Sequence, residues 1–329
     1  MSSIKKNITS FCLLIMFIIC VDNMSYGNGL CNEKDTTTFL YQADPTIYYS
    51  DGKYYLYGTY DLNSNNGIRV YVSTNLKTFS LKNSAQALKK GDAYGTENFW
   101  APQIWKTNNK FYMAYVANEH IAIAEASSPE GPFTGSNKPI IEDKKTIDPF
   151  VFKDDDGKQY LFHVEFSGGN KIYVARLKDD LSGIYSETDS LCLFAQDEWE
   201  KKMANVVEGP TVLKHKGWYY LIYSANHFKS KYYAAGYAVS KSIYGPWQKY
   251  KGNPILSVSG TGKSGTGHGD IFYDKDGQMF YVFHTHNSDT VIGPRKTAIT
   301  RVHFKTNKKG MPDQLIMDQR NMYYLKEMP

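Results

Sequence analysis

The chain has 329 residues, of which 42% are hydrophobic, 22% charged and 15% aromatic. That balance excludes a disordered, collagenous or coiled-coil protein and leaves one large domain or two ordinary ones. A formal charge of +5 arises from 38 basic and 33 acidic residues spread along the chain. With no basic run or recognition-helix motif, no nucleic-acid partner is expected. The 27 Tyr, 17 Phe and 5 Trp favour strands and suit surfaces on which sugars stack.

In chain order, the first feature is an export signal. Lys5 and Lys6 precede an apolar stretch from Phe11 to Val21, which is too short to span a bilayer. Ser25-Tyr26-Gly27 follows, so residues 1–27 read as a signal peptide cleaved after Gly27, leaving 28–329 as the mature chain. A second reading is a lipoprotein signal in which Cys20 becomes the acylated first residue. The bulky Ile19 before it favours the ordinary signal. Either way an exported protein is expected, periplasmic, extracellular or lipid-anchored at the cell surface, without a transmembrane segment. Cys31 and Cys192 lie in the mature chain without any pairing motif, and a disulfide between them stays open.

Five segments then share one template, an apolar strand opened by Pro or Gly, a tight turn, and an aromatic strand. They begin at Ala43-Asp44-Pro45, Trp100-Ala101-Pro102, Ile147-Asp148-Pro149, Val207-Glu208-Gly209-Pro210 and Gly267-His268-Gly269. Their turns are Asp51-Gly52, Asn108-Asn109, Asp156-Gly157, Lys216-Gly217 and Asp276-Gly277, which are hairpin signals. Measured between Pro45, Pro102, Pro149, Pro210 and Gly269, the repeat spacings are 57, 47, 61 and 59 residues. A hairpin recurring at this interval predicts a four-stranded propeller blade. The segments Ile121–Ala126 and Ala235–Ser240 supply third strands. The expected fold is all-β, a single-domain five-bladed β-propeller with little helix.

At the start of the innermost strands the repeats carry Asp44, Ala101, Asp148, Glu208 and His268. Propeller geometry would bring three carboxylates and a histidine from four blades to one end of the channel. A single Asp-Pro commonly marks only the turn into a strand. Three acids at equivalent positions are another matter, because crowding like charges raises a pKa and a purely structural site avoids that cost. Two carboxylates facing each other suit glycoside hydrolysis, one ionised to deprotonate water and one protonated to release the leaving oxygen. Phe99, Trp100 and Trp105 offer aromatic surface nearby; Trp105 is expected in the core and Trp100 at the sugar.

Taken together, these motifs resemble glycoside hydrolase family 43 from about Phe39 to Phe304. The family comprises five-bladed propellers that cleave arabinose-, xylose- or galactose-containing glycans with inversion. The resemblance implies Asp44 as general base, Glu208 as general acid and Asp148 as the pKa modulator of Glu208. Base and acid would stand ~6.5–9.5 Å apart, with water between them. It implies a channel histidine in His268, next to which a calcium ion is expected, although the chemistry itself requires no cofactor. It also implies that Arg295, in Gly293-Pro294-Arg295, reaches into the sugar pocket and pairs with Asp44. Asn226, three residues past Tyr223 of the fourth aromatic strand, is expected to bind a sugar hydroxyl. Asp270 departs from the small residue common at that place.

The partner expected is therefore an oligosaccharide or polysaccharide. The first-choice activity is an exo-acting α-L-arabinofuranosidase, with β-D-xylosidase and β-D-galactofuranosidase as alternatives. A non-catalytic carbohydrate-binding propeller would not need the three acids. A retaining fructan-cleaving propeller would hold its carboxyls ~5–5.5 Å apart. Sialidase repeats, nucleophilic triads, P-loops and dinucleotide fingerprints are absent from the sequence. Loops at 61–67 and 229–233 are expected to shape the substrate site.

Overall fold

A computed structural model describes residues 38–328. The export signal, Cys12, Cys20 and Cys31 lie outside the described residues. Within them the regular structure is almost entirely strand, with one short α-helix at Val258–Thr261 and three single-turn 3-10 segments. None of its helices is long and apolar enough to cross a membrane.

The strands form five antiparallel-meander sheets in a propeller-like arrangement. Their first strands are Ala43–Ser50, Trp100–Thr107, Thr146–Lys153, Val207–His215 and Gly267–Tyr273. Each of these packs against the first strand of the sheet before it and the sheet after it, closing a ring. Three sheets have the expected four strands, and two depart from that number. The first has six, because Lys326–Met328 joins it parallel to Thr78–Lys89 and Thr38–Phe39 pairs onto that strand. The fifth gains Tyr323–Tyr324. Repeat spacing is blind to such long-range additions.

Alternation within the strands explains the packing. Residues at every second position face a neighbouring sheet, so each inter-sheet space collects its own apolar cluster. Tyr57, Tyr115 and Phe133 fill the space between the first and second sheets. Val151 and Leu161 pack against Ala114 between the second and third, and Phe162 and Tyr223 between the third and fourth. Ile222 and Phe283 pack between the fourth and fifth, and Leu56 meets Phe280 between the fifth and the first. Burying a side chain of this size contributes ~1.5–3 kcal/mol. The aromatic richness of the sequence is thus largely the filling between wedge-shaped neighbours. Trp105 is half-buried against this filling; it stacks on Tyr112 and donates its Nε1–H to Gln159 Oε1 at 2.9 Å.

Candidate active site

The site is built by one backbone device used five times. Near its start, every first strand shifts register against its partner, leaving a bulge. At the bulge one residue adopts a left-handed conformation: Asp44 (φ 48°), Ala101 (43°), Asp148 (55°), Gly209 (57°) and His268 (43°). Four of these are not glycine, so strain is concentrated at one end of the ring, where such strain commonly marks a functional site.

This corrects the alignment expected from sequence. Gly209, not Glu208, is the structural equivalent of Asp44 and Asp148. Glu208 pairs with Ser224 one position earlier, as Ala43 pairs with Thr59, Trp100 with Val116 and Ile147 with Val164. The reason is steric. A Cβ on residue 209 would lie 2.8 Å from the His268 ring, so the fourth bulge must be glycine and its acid moves to the preceding residue. Glu208 and Trp100 thereby occupy matching positions, and both line the same cavity.

That cavity, of about 430 Å³, gathers residues from all five sheets, including Asp44, Trp100, Asp148, Glu208, His268 and Arg295. Asp44 is the most tightly held of the acids. Its Oδ1 lies 3.0 Å from Arg295 Nη1, 3.2 Å from His268 Nδ1 and 3.3 Å from His284 Nδ1. Its Oδ2 accepts a 2.7 Å hydrogen bond from the Thr59 hydroxyl, and its backbone N–H donates to His284 Nδ1 at 3.1 Å. Burial opposes ionisation, but Arg295 and then His268 overcome it and hold the carboxyl well below the usual range. Arg295 is itself fixed by Asp61, through Nη2 at 2.8 Å and Nε at 3.1 Å.

The other two acids behave oppositely. Glu208 accepts from Tyr233 Oη and from Asn170 Nδ2, each at 2.8 Å. Burial and then the charge of Asp148 push it up to about 7 against those hydrogen bonds. Asp148 accepts the Gly209 backbone N–H at 3.1 Å and lies 4.0 Å from His268 Nδ1. Burial and then the Asp44 charge push it up to about 7 as well. One buried carboxyl is thus kept ionised, while Asp148 and Glu208 each oppose the other's ionisation and the pair holds a proton near neutrality.

Several residues here had no sequence signal of their own. Asp61 and Tyr233 fall in the two loops marked for site shaping, while Thr59, Asn170 and His284 were not singled out. His284 faces inward beside Gly267, and alternation along Met279–Thr285 would have pointed to it. Its imidazole, pushed down to about 4 chiefly by burial, is neutral and stacks on Tyr233.

Asn226 does not line the cavity. It is fully buried: Oδ1 accepts the N–H groups of Met203 and His227, and Nδ2 donates to Ser230 Oγ. Those bonds consume its polar atoms, so the expected hydroxyl contact is corrected to support of the loop that carries His227 and Phe228. Asp270 is buried below the site, accepts a 2.7 Å hydrogen bond from Thr46 Oγ1 and lines a small polar channel with His268. In that channel Thr211 donates to Gly269 O, and Gln103 is tied to the backbone of Val151. The side chains therefore do not supply the six to eight oxygens that calcium takes. His163, Glu165 and Asp189 form a group of metal-ligand spacing elsewhere, but the Lys144 ammonium already bridges its two carboxylates.

Against known proteins, the description "Glycosyl hydrolases family 43" matches residues 39–312, and the chain belongs to that family. Among solved structures it is similar to an endo-1,4-beta-xylanase from Bacteroides thetaiotaomicron, at 40% identity and TM-score 0.82, covering 89% of this chain and 99% of that one. A thermostable family-43 glycoside hydrolase matches at 36% identity and TM-score 0.75, covering 84% and 92%. Among curated proteins, a beta-D-galactofuranosidase of Aspergillus niger is 24% identical over 298 residues, covering 84% of this chain and 83% of the relative. A beta-xylosidase of Xylanibacter ruminicola is 27% identical over 292 residues, covering 74% and 87%.

Proposed function

We propose that the protein is an exported inverting exo-glycosidase whose five sheets act as the five blades of a closed propeller. It removes terminal pentosyl or furanosyl residues from polysaccharide side chains, with α-L-arabinofuranosides as the first-choice substrate. Asp44 is the general base, Glu208 the general acid, and Asp148 the neighbour that keeps Glu208 protonated.

The observation that carries this reading is the opposed protonation of two buried carboxyls in one cavity. Asp44, neutralised by Arg295, stays ionised and can accept a proton from water. Glu208 keeps its proton near neutral pH and can deliver it to the glycosidic oxygen. As water attacks, its proton passes to Asp44, the bond to the leaving oxygen breaks, and that oxygen takes the proton of Glu208. Trp100 supplies the face on which the sugar stacks.

The relatives named for β-xylose, arabinose and β-galactofuranose support the pentosyl or furanosyl class and leave three sugars to separate. Release of 4-nitrophenol from α-L-arabinofuranoside, β-D-xyloside and β-D-galactofuranoside separates them. Hydrolysis that disappears in Asp44→Asn supports the reading, and NMR of the first-formed anomer tests inversion. Turnover undiminished in Asp44→Asn refutes the base assignment. A polysaccharide cut only at internal bonds would replace exo by endo action. A calcium ion held through His268 and water rests on the sequence resemblance. Chelation should then lower the melting temperature, and an unchanged melt rejects the ion.

A further inference from the structure

Outside the cavity lining, the surface next to the segment that carries His227 and Phe228 is basic. Four exposed lysines, Lys202, Lys229, Lys231 and Lys263, come from three segments of the fourth and fifth sheets. The segments are tied together. Met203 N–H donates to Asn226 Oδ1, Gly265 N–H donates to the Lys231 carbonyl at 3.1 Å, and His286 Nε2 lies 2.8 Å from the Phe228 carbonyl. Lys202 and Lys231 both lie over the exposed Tyr232 ring, at 4.3 and 4.9 Å from its centroid, and Lys229 lies 5.7 Å from that of Phe228, a cavity residue. Among the described residues none of the four ammoniums is paired with a carboxylate, whereas Lys144, Lys214 and Lys249 elsewhere all are. Asp289, held by Ser264 Oγ, is the acid that the structure places beside Lys263.

Position gives this patch its meaning. A proton donor sits at the leaving-group oxygen, so the departing glycan must run over the walls next to Glu208. Val206, His227 and Phe228 form one of those walls, with Lys229 directly after Phe228 and the other three lysines on segments tied to the same loop, and the half-exposed Phe166 stands beside Asn170 on another. We propose that the leaving-group glycan carries carboxylates, that is, a uronic-acid-bearing polysaccharide bound with its acid groups against Lys202, Lys229, Lys231 and Lys263. Tyr232 and Phe166 offer the aromatic faces for its sugar rings. The inference rests on the glycosidase reading and on Glu208 as its proton donor.

The test is equilibrium binding of xylotriose and of xylotriose bearing one glucuronic acid branch, two probes differing in a single carboxylate. The acidic probe should bind roughly tenfold more tightly at low salt, as expected for a few exposed charge contacts, and the gap should close as salt screens them. In a variant combining Lys202→Gln, Lys229→Gln, Lys231→Gln and Lys263→Gln, the gap should vanish while turnover of the aryl glycoside persists. Equal binding of the two probes by the natural protein, or a preference that survives in the variant, overturns the proposal. Absence of turnover on every glycoside and polysaccharide would instead strike the glycosidase reading, and the binding comparison registers that separately.

Discussion

Gly209 donates its backbone N–H to Asp148 Oδ2 at 3.1 Å, tying the bulge of the fourth sheet to the acid of the third. The residue next to Glu208 is thereby fixed against the carboxyl that sets the protonation of Glu208. Position, strain and electrostatics meet in one hydrogen bond. Substituting Gly209→Ala should disturb all three, because its φ of 57° disfavours a side chain and the new Cβ would press on the His268 ring. A left-handed non-glycine residue costs ~1–3 kcal/mol. Thermal melts should show a lowered midpoint, and kcat/KM should fall beyond what the lost stability explains. A fully active, equally stable variant would contradict this account of the fourth bulge.

Glu208→Gln removes the proton that assists departure of a poor leaving group. Turnover of natural glycosides should fall by about 10²–10⁴-fold, the usual contribution of general acid catalysis. Activated aryl glycosides, which need little protonation, should lose much less. Equal losses on both classes would exclude Glu208 as the donor.

The pH profile carries the second signature of that proton. Glu208 must be protonated and its pKa is raised to about 7, so kcat/KM should decline as pH rises through about 7. In Asp148→Asn the negative neighbour that raises Glu208 is gone. The Glu208 pKa falls, and the alkaline limb should move to lower pH. An unmoved limb would separate Asp148 from the tuning of Glu208.

Arg295→Lys probes the base. A lysine keeps one charge but loses the fork that grips Asp61 while touching Asp44. Arg295 is the strongest of the groups that lower the Asp44 pKa against burial, so weakening it lets that pKa rise. The acid limb of the profile should then shift to higher pH, with kcat reduced and the alkaline limb unchanged. If the acid limb stays where it was, Arg295 does not hold Asp44 ionised.

Ionising Glu208 in its buried setting also bears on stability. Its folded pKa exceeds that of an ordinary glutamate, so its stabilising share is full below the unfolded value and is lost as pH climbs through about 7. Glu208→Gln should therefore melt a few degrees above the natural protein at pH 8 and show no such gain near pH 4. A loss of stability at both pH values would contradict the raised pKa.

The strand repeat, the hairpin turns and the positions of Asp44, Asp148, Glu208 and His268 were legible in the chain, whereas Arg295 was expected only through the family resemblance. The physical reason is local: alternation and turn chemistry are written in neighbouring residues, and a repeat places each acid at a similar point of its own segment. Only the tertiary structure decided the register of Glu208, because the glycine it requires at 209 is imposed by a histidine 59 positions away. The same holds for Tyr233, Asn170 and Thr59, which matter through the carboxylates they meet rather than through any pattern of their own. Asn226 shows the converse: a polar residue well placed in sequence spends its hydrogen bonds beneath the surface. The pairing of Lys326–Met328 with the first sheet likewise joins strands that are far apart along the chain and spatial neighbours only after folding. Residue types set which chemistry was available, and the closing of the ring set which groups share a charge, a proton and a cavity.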